Sequence, residues 1–315
     1  MIRVHFWDRP DEAEAPELED SAIFRCSFGT EIAADSEILV KGRPTAEDIA
    51  TAPGLRAVIV PFAGIPAETR ELLLPLTNIE LYNLHHNAAD TAEMAIALYL
   101  AAAKRIVPRD QALRRGQWSE DSFLRGGSPE SVRAAGKRAV VLGYGSIGQR
   151  IGRICEAMEM DVVGIRRSGI FSEGVRPLEE IDQLLENTDA LFVALPLTPE
   201  TKGLLDARRL ALLPSNAIIS NIARGAIFDE EALFTALRDG NIGAAGIDVW
   251  WNYPNSDGPC FPSRFPFQDL PNVVMTPHVG GGSDVSERER MHALSTLIEA
   301  IAKGTPKTAS KELGY

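Results

Sequence analysis

Cysteine, aromatic residues and long apolar runs are all scarce in this sequence of 315 residues. Its three cysteines, Cys26, Cys155 and Cys260, are odd in number and widely spaced, so they predict neither a disulfide framework nor a metal site. No run approaches the ~20 apolar residues of a membrane span, and residues 1–6 lead into a charged stretch rather than the apolar core of a signal peptide. We therefore expect a soluble, cytoplasmic protein with no membrane partner.

Basic residues are also in short supply, because 32 Lys and Arg face 44 Asp and Glu and leave a net charge of −12. Binding to nucleic acid needs a basic face, so we expect no nucleic-acid partner. The apolar fraction of 45% and the charged fraction of 24% are ordinary for a globular chain. At roughly 150 residues per domain, the length suggests about two domains.

Short β-type runs alternate with helical patterns along most of the chain, which is typical of parallel sheets with helical crossovers. The predicted strands are 2–6, 37–40, 57–60 and 79–84, followed by a six-strand series at 139–142, 161–165, 190–195, 217–222, 244–249 and 272–276. The predicted helices include 44–52, 66–74, 91–106, 178–186, 229–238 and 285–302. We interpret the alanine-rich helix 91–106 as the joint between two α/β domains.

A glycine loop, Gly143-Tyr144-Gly145-Ser146-Ile147-Gly148, matches the pattern GxGxxG. It follows an apolar strand and precedes a helix with a regular apolar stripe, which is the context that a dinucleotide site requires. Such glycines allow a tight turn and let the backbone approach a pyrophosphate at the helix N-terminus. We predict that Gly143, Gly145, Ser146, Ile147 and Gly148 bind a dinucleotide; the alternative is a structural turn that contains three glycines.

The residues after the second strand of this series bear on which dinucleotide is preferred. An NAD site usually has Asp or Glu about 20 residues past the loop, to accept a hydrogen bond from the ribose 2′-hydroxyl. Here Arg166 lies 18 residues past Gly148 (166 − 148) and is followed by Arg167 and Ser168. Two guanidinium groups and a hydroxyl suit a 2′-phosphate, so we predict NADP as the preferred cofactor and NAD as a possible one. The alternative is a solvated basic turn in an NAD site with relaxed preference.

Three further residues lie at or just after the carboxyl ends of predicted strands of the same series: Arg224, Asp248 and His278. Ligands of doubly wound sheets lie beyond the carboxyl ends of the strands, so we expect these side chains to converge. Such a site can reduce 2-oxo acids, because the arginine binds a carboxylate, the imidazole moves a proton and a bound nicotinamide carries the hydride.

Seven segments in one fixed order resemble the D-isomer-specific 2-hydroxyacid dehydrogenases, of the glyoxylate/hydroxypyruvate reductase type, over essentially the whole chain. The segments are 143–148, Leu195-Pro196-Leu197-Thr198-Pro199-Glu200-Thr201, Ala223-Arg224-Gly225, Gly246-Ile247-Asp248-Val249, Leu270-Pro271-Asn272-Val273, Thr276-Pro277-His278 and Leu313-Gly314-Tyr315. The resemblance implies an α/β fold of two doubly wound domains. A Rossmann NAD(P)-binding domain at 104–284 is inserted into a smaller, flavodoxin-like substrate domain at 1–103 and 285–315. A homodimer is also implied.

The resemblance also implies the roles of individual residues. Arg224 binds the carboxylate and the ketone oxygen of the substrate, and His278 protonates that oxygen during reduction. The backbone N–H groups of Ala63 and Gly64 contact the substrate carboxylate. Asp248 holds the nicotinamide carboxamide, and the cofactor is also lined by Pro196, Thr201 and Ala223.

One departure from the family pattern concerns the catalytic glutamate that precedes a proline, because Tyr253 stands in its place before Pro254. A carboxylate partner orients an imidazole and raises its pKa by about 1–3 units, which a neutral phenol cannot do. Three interpretations stay open. His278 acts with a lower pKa, oriented by Tyr253 or by a carboxylate such as Asp257 or Asp284; the substrate needs no proton, as in formate-type relatives; or catalysis is lost and cofactor binding remains.

The sequence permits two alternative roles for each of two further residue pairs. His85 and His86 stand where the family has a Pro-Gly turn, and they either contact the substrate or cap the following helix. Trp250 and Trp251 either line the active site or pack between subunits.

The sequence predicts an NAD(P)H-dependent oxidoreductase that interconverts a small 2-oxo acid and its D-2-hydroxy acid. The alternative is a catalytically impaired NAD(P)-binding sensor or partner-binding protein.

Overall fold

The computed structural model describes residues 1–10, 18, 21–118, 131–167, 173–254 and 258–306. The chain divides into two compact units, one of Met1–Asn87 with Gly282–Tyr315 and one of Ala88–Gly281. The second unit is therefore inserted into the chain of the first.

The first unit contains a parallel sheet of five strands in the order β2-β1-β3-β4-β5. Its elements are β1 (Ile2–Phe6), β2 (Phe24–Phe28), β3 (Ile38–Val40), α1 (Ala46–Thr51), β4 (Ala57–Val60), α2 (Ala67–Leu73), β5 (Glu80–Asn83) and, after the insertion, α9 (Ser286–Ala302). This strand order is that of flavodoxin-like folds, as predicted.

The second unit contains a parallel sheet of seven strands in the order β12-β11-β10-β9-β6-β7-β8. Its elements are α3 (Ala88–Ala103), α4 (Ile106–Arg114), β6 (Arg138–Leu142), α5 (Ser146–Ala157), β7 (Asp161–Arg166), β8 (Val175–Pro177), α6 (Ile181–Leu185), β9 (Ala190–Val193), α7 (Ala207–Leu210), β10 (Ile218–Asn221), α8 (Glu230–Arg238), β11 (Ala244–Ile247) and β12 (Val273–Met275). The order reverses between β6 and β9, as in the Rossmann fold, so the predicted fold class is confirmed.

The register of this sheet brings the ends of its central strands to one edge. Leu142 of β6 pairs with Ile165 and with Val193, and Val193 in turn pairs with Asn221. Asn221 pairs with Ile247, which pairs with Met275 at the end of β12. The loops that follow β6, β7, β9, β10, β11 and β12 therefore all leave from the carboxyl edge, where ligands bind in sheets of this kind.

The predicted position of the alanine-rich helix needs correction. It spans Ala88–Ala103, and its buried Ala95, Leu98 and Tyr99 pack with apolar residues of the second sheet such as Phe192. A Cβ at Gly246 would lie 2.6 Å from Leu98 Cβ, so helix and sheet approach each other very closely. This packing places the unit boundary at 87/88 rather than 103/104, and the return to the first unit falls at 281/282 rather than 284/285.

None of the helices in the described part of the chain has both the length and the apolar character that a membrane span would require.

Candidate active site

The glycine loop connects β6 to α5, and its three glycines meet different steric demands. Gly143 has φ +104°, and a Cβ on it would lie 2.6 Å from the carbonyl oxygen of Ala194. A Cβ on Gly148 would collide with the carbonyl oxygen of Gly143, so α5 can approach the strand only with glycine there. In contrast, apart from Gly145 and its chain neighbours, no described atom lies within 4 Å of a Cβ placed on Gly145. A dinucleotide loop needs glycines for three purposes: a tight turn, space for a pyrophosphate to approach the backbone, and close packing of the helix on the strand.

The other two loop residues that the sequence singled out lie in the first turn of α5. Ser146 is exposed at the helix N-terminus, whereas the side chain of Ile147 packs against the apolar cluster beneath the helix. Backbone N–H groups of a first helical turn have no partner within the helix and carry partial positive charge. The open space beyond Gly145 together with these groups fits the diphosphate of a dinucleotide.

Arg166 ends β7 and is half-buried, and Arg167 follows it with an exposed side chain. A hydrogen bond from Thr198 holds the pKa of the Glu200 carboxyl below its usual value, and the charge of Arg167 adds to this effect. Arg167 therefore acts on the loop after β9, which belongs to the same edge of the sheet. Ser168, the third residue of the predicted basic turn, lies outside the described residues.

Thr201 shapes the loop that follows β9. Its side chain is almost fully buried, and its hydroxyl donates to the carbonyl oxygen of Pro196 at 2.7 Å while accepting from the backbone N–H of Thr198 at 2.8 Å. Its only hydroxyl proton is thus used within the loop. Pro196 itself is exposed at the carboxyl edge, so it can contact a ligand directly whereas Thr201 orients the loop.

The turn after β10 is organised by Asn221, which the sequence analysis did not identify. Its side-chain oxygen accepts from the N–H of Ala223 at 3.1 Å, and its amide donates to the carbonyl oxygen of Arg224 at 3.3 Å. The guanidinium of Arg224 donates to the carbonyl oxygen of Ala223 at 2.6 Å. An asparagine at the end of a buried strand, directly before Ile222-Ala223-Arg224, was the signal that could have revealed this role.

Asp248 follows β11, and the residue is 2% exposed. One oxygen accepts from the hydroxyl of Thr276 at 2.6 Å and from the N–H of Val279 at 3.0 Å. The other accepts from the N–H of Gly280 at 2.9 Å. The carboxylate predicted to contact the cofactor is therefore already bonded to the loop that carries His278.

His278 lies between these bonded residues, only partly covered by its neighbours and with a left-handed backbone at φ +57°. Partial burial of the ring and the positive charge of Arg224 hold the pKa of His278 below its usual value, and Asp248 opposes this shift. The structure thus brings Arg224, Asp248 and His278 together at the carboxyl edge, as the strand ends predicted.

Tyr253 contacts the imidazole. Its ring centroid lies 5.5 Å from that of His278, with the two ring planes inclined at 58°. The phenol oxygen accepts a long hydrogen bond of 3.4 Å from the N–H of Trp250. Of the carboxylates proposed as substitutes, Asp257 lies outside the described residues, and Asp284 belongs to the first unit.

The two tryptophans pack within the second unit: Trp250 lies in its apolar cluster and Trp251 packs against that cluster. Which of the two roles considered for them applies stays a prediction. Trp250 is 6% exposed and donates its indole N–H to the carbonyl oxygen of Thr276 at 2.9 Å. Trp251 stacks on Phe267 with 5.6 Å between ring centroids. They support the loop that carries Tyr253 from inside the unit.

In the first unit, the predicted substrate loop follows β4. Ala63 and Gly64 are half-buried, and the carbonyl oxygen of Ala63 accepts a short hydrogen bond from the side-chain amide of Asn83. The same amide lies 3.4 Å from Nε2 of His85, which is exposed. Asn83 therefore links His85 to the loop. Whether His85 and His86 contact a substrate stays a prediction.

Comparison with known proteins identifies relatives along most of the chain. The family model "D-isomer specific 2-hydroxyacid dehydrogenase, NAD binding domain" matches residues 96–280. A glycerate dehydrogenase of Methylorubrum extorquens is 30% identical over 280 residues, which are 89% of this chain and 85% of that protein. The chain also matches D-3-phosphoglycerate dehydrogenases, of whose length it spans only 40% to 48%.

Two solved structures are similar to both units of the chain. A D-isomer specific 2-hydroxyacid dehydrogenase from Xanthobacter autotrophicus, in complex with NADPH and MES, has 26% identity and a TM-score of 0.79 over 99% of each chain. An NADPH-dependent glyoxylate/hydroxypyruvate reductase from Sinorhizobium meliloti, in complex with NADP and malonate, has 25% identity and a TM-score of 0.73 over 95% of this chain and 93% of its own. Together with the matched domain, these relatives show that the chain belongs to the D-isomer specific 2-hydroxyacid dehydrogenases.

Proposed function

We propose that this protein is an NAD(P)H-dependent oxidoreductase that interconverts a small 2-oxo acid and its D-2-hydroxy acid. The observation that carries the proposal is the convergence of Arg224 and His278 at the carboxyl edge of a sheet whose glycine loop fits a dinucleotide. The second unit is then the cofactor domain and the first unit the substrate domain.

Substrate binding is assigned to one cation and to backbone donors. The guanidinium of Arg224 binds the substrate carboxylate and polarises the ketone, because a planar fork of N–H donors matches carboxylate geometry. The N–H groups of Ala63 and Gly64 are further donors to that carboxylate. A nicotinamide, when bound, supplies the hydride that reaches the keto carbon.

His278 is the proton donor of the reduction. Its imidazolium gives a proton to the ketone oxygen as that oxygen gains charge, and the neutral imidazole accepts the proton in the reverse direction. Because the pKa of His278 lies below its usual value, the imidazolium is populated mainly on the acid side of neutrality. Reduction should therefore be fastest at mildly acid pH and should slow as the pH rises through that pKa.

We propose that Tyr253 replaces the missing glutamate in orienting the imidazole of His278. It does not replace the glutamate in favouring the protonated form of that imidazole. The tilted contact between the two rings restricts the imidazole, and the neutral phenol adds no negative charge. This assignment favours retained catalysis with an altered pH profile over loss of catalysis.

The remaining cofactor contacts are assigned to the residues that the sequence predicted. Pro196, Ala223 and Asp248 line the nicotinamide end, with Thr201 supporting the loop. Arg166 and Arg167, together with Ser168, meet the 2′-phosphate of NADP, which is the preferred cofactor; the NADPH and NADP bound by the two similar structures support this choice.

Glyoxylate or hydroxypyruvate is the proposed substrate, and the similarity to a glyoxylate/hydroxypyruvate reductase supports it. The homodimer and the cytoplasmic location stay predictions from the sequence.

The proposal is tested by following NADPH oxidation against a panel of small 2-oxo acids between about pH 5 and pH 8. We expect turnover with glyoxylate or hydroxypyruvate that increases toward the acid end of this range. Bound NADPH without turnover on any acid at any pH would contradict the proposal, and binding alone would then remain as the function.

A further inference from the structure

The carboxylate of Asp248 bonds to residues on both sides of His278. Thr276, which donates its hydroxyl at 2.6 Å, lies two positions before the histidine. Val279 and Gly280, which donate their backbone N–H groups at 3.0 and 2.9 Å, lie one and two positions after it. A single buried side chain thus binds the loop at both ends of the short segment that contains the proton donor.

The backbone of His278 needs such restraint. Its φ of +57° lies in the left-handed region, which residues other than glycine adopt uncommonly. A conformation of this kind persists only where the surrounding structure holds it. The hydrogen bonds to Asp248 supply contacts that hold the backbone on either side of the residue.

Asp248 is itself held in place. Its backbone N–H donates to the carbonyl oxygen of Asn221 at 3.0 Å. A Cβ added to Gly280 would lie 2.8 Å from Oδ2 of Asp248, so the carboxylate fits closely against the loop. Three of the roughly four acceptor positions of the carboxylate are occupied within the loop.

We propose that Asp248 is a positioning residue for the proton donor, because its carboxylate holds loop 276–280 (Thr276 to Gly280) in the conformation that presents His278 to the substrate. This role is separate from the contact with the nicotinamide carboxamide that the family resemblance implies. It rests on the proposed function, since it takes His278 as the donor.

The role predicts kinetic effects that differ from those of a lost cofactor contact. Thr276→Val removes one bond to the carboxylate without changing charge, and we expect kcat to fall about tenfold while the Kd of NADPH changes by less than about twofold. Thr276→Ser keeps the hydroxyl and should restore most of the rate. Thr188→Val is the matched control, because it removes a buried hydroxyl that donates to Leu184 at 2.7 Å, elsewhere in the same unit; its kcat should equal that of the wild type.

Asp248→Asn supplies a second readout. The amide offers one acceptor oxygen in place of two and no negative charge, so kcat should fall further than in Thr276→Val. The falling limb of the pH profile for reduction should also move to lower pH, because Asp248 is the charge that favours protonated His278. A variant that lost only structural support would keep the wild-type profile.

Amide hydrogen exchange measures the loop without turnover. With the full chain, the amides of Val279 and Gly280 should exchange at least about tenfold faster in Asp248→Asn than in the wild type, since their acceptor is weakened. Unchanged exchange would overturn the inference whether or not the enzyme is active. Wild-type kcat in Thr276→Val, or a loss confined to NADPH binding in Asp248→Asn, would also overturn it. If the wild type shows no turnover at all, the proposed function fails, and exchange still decides whether Asp248 holds the loop.

Discussion

The imidazole of His278 has an aromatic neighbour, Tyr253, where the family resemblance predicts a carboxylate. Burial and the charge of Arg224 both favour the neutral ring, and Asp248 only partly offsets them. A proton donor with a lowered pKa is protonated over a narrower pH range, so reduction loses rate at a lower pH than it would with a glutamate partner.

Replacing Tyr253 by glutamate tests this reading of the site. The substitution Tyr253→Glu places a carboxylate beside the imidazole, and the apparent pKa of the falling limb in kcat/KM for reduction should rise by about 1–3 units. The measurement is a pH profile with saturating NADPH. The control Tyr253→Phe keeps the ring and adds no charge, so its profile should match that of the wild type. If the two variants gave the same profile, Tyr253 would not face His278 in solution.

The sequence identified charged site residues more readily than the polar residues that place them. Arg224, Asp248 and His278 could be predicted because each follows a strand and belongs to a recognisable segment. Asn221 and Thr276 also stand at strand ends, but their roles were not predicted, since these depend on hydrogen bonds to particular groups that only the folded loops bring within reach. The strand-end position marks such a polar residue as a candidate, but it does not show which loop groups the side chain bonds to.

Among the structural elements, the strands that the sequence missed are short or atypical. β8 has three residues, of which Val175 alone is buried, and β2 carries Arg25 and Cys26 between its two phenylalanines. Neither offers enough apolar residues to stand out from a loop. The glycine loop, in contrast, was predicted in full, because turn, open approach and close packing each require glycine at a fixed position.

The predicted preference for NADP depends on Arg166 at the end of β7. Arg166→Asp replaces a cation with an anion where the 2′-phosphate is expected, so NADPH should bind at least about tenfold more weakly while NADH binding changes much less. Titration of each cofactor against the protein measures both constants. Arg109→Asp, which makes the same charge change on the exposed side of α4, is the control and should leave both unchanged. Equal weakening of NADPH and NADH by Arg166→Asp would contradict an NADP preference.

At the scale of the whole molecule, the insertion of one α/β unit into another could be predicted, but the boundary could not. The helix α3 is rich in alanine and lacks a strong amphipathic pattern, so nothing in its sequence shows which sheet it covers. Small residues let it pack closely on β11, as the contact between Leu98 and Gly246 shows. The helix α3 belongs to the second unit because of this packing, which its sequence alone does not show.

The proposed reaction requires that Arg224 and His278 act together on one substrate. The most direct test is kcat/KM for NADPH-dependent reduction of the best 2-oxo acid by the wild type, Arg224→Gln and His278→Gln, with the Kd of NADPH measured for each. We expect either substitution to lower kcat/KM by about 10²–10⁴-fold and to leave NADPH binding within about threefold of the wild type. Variants that reduce the substrate as fast as the wild type would contradict the proposed roles of Arg224 and His278.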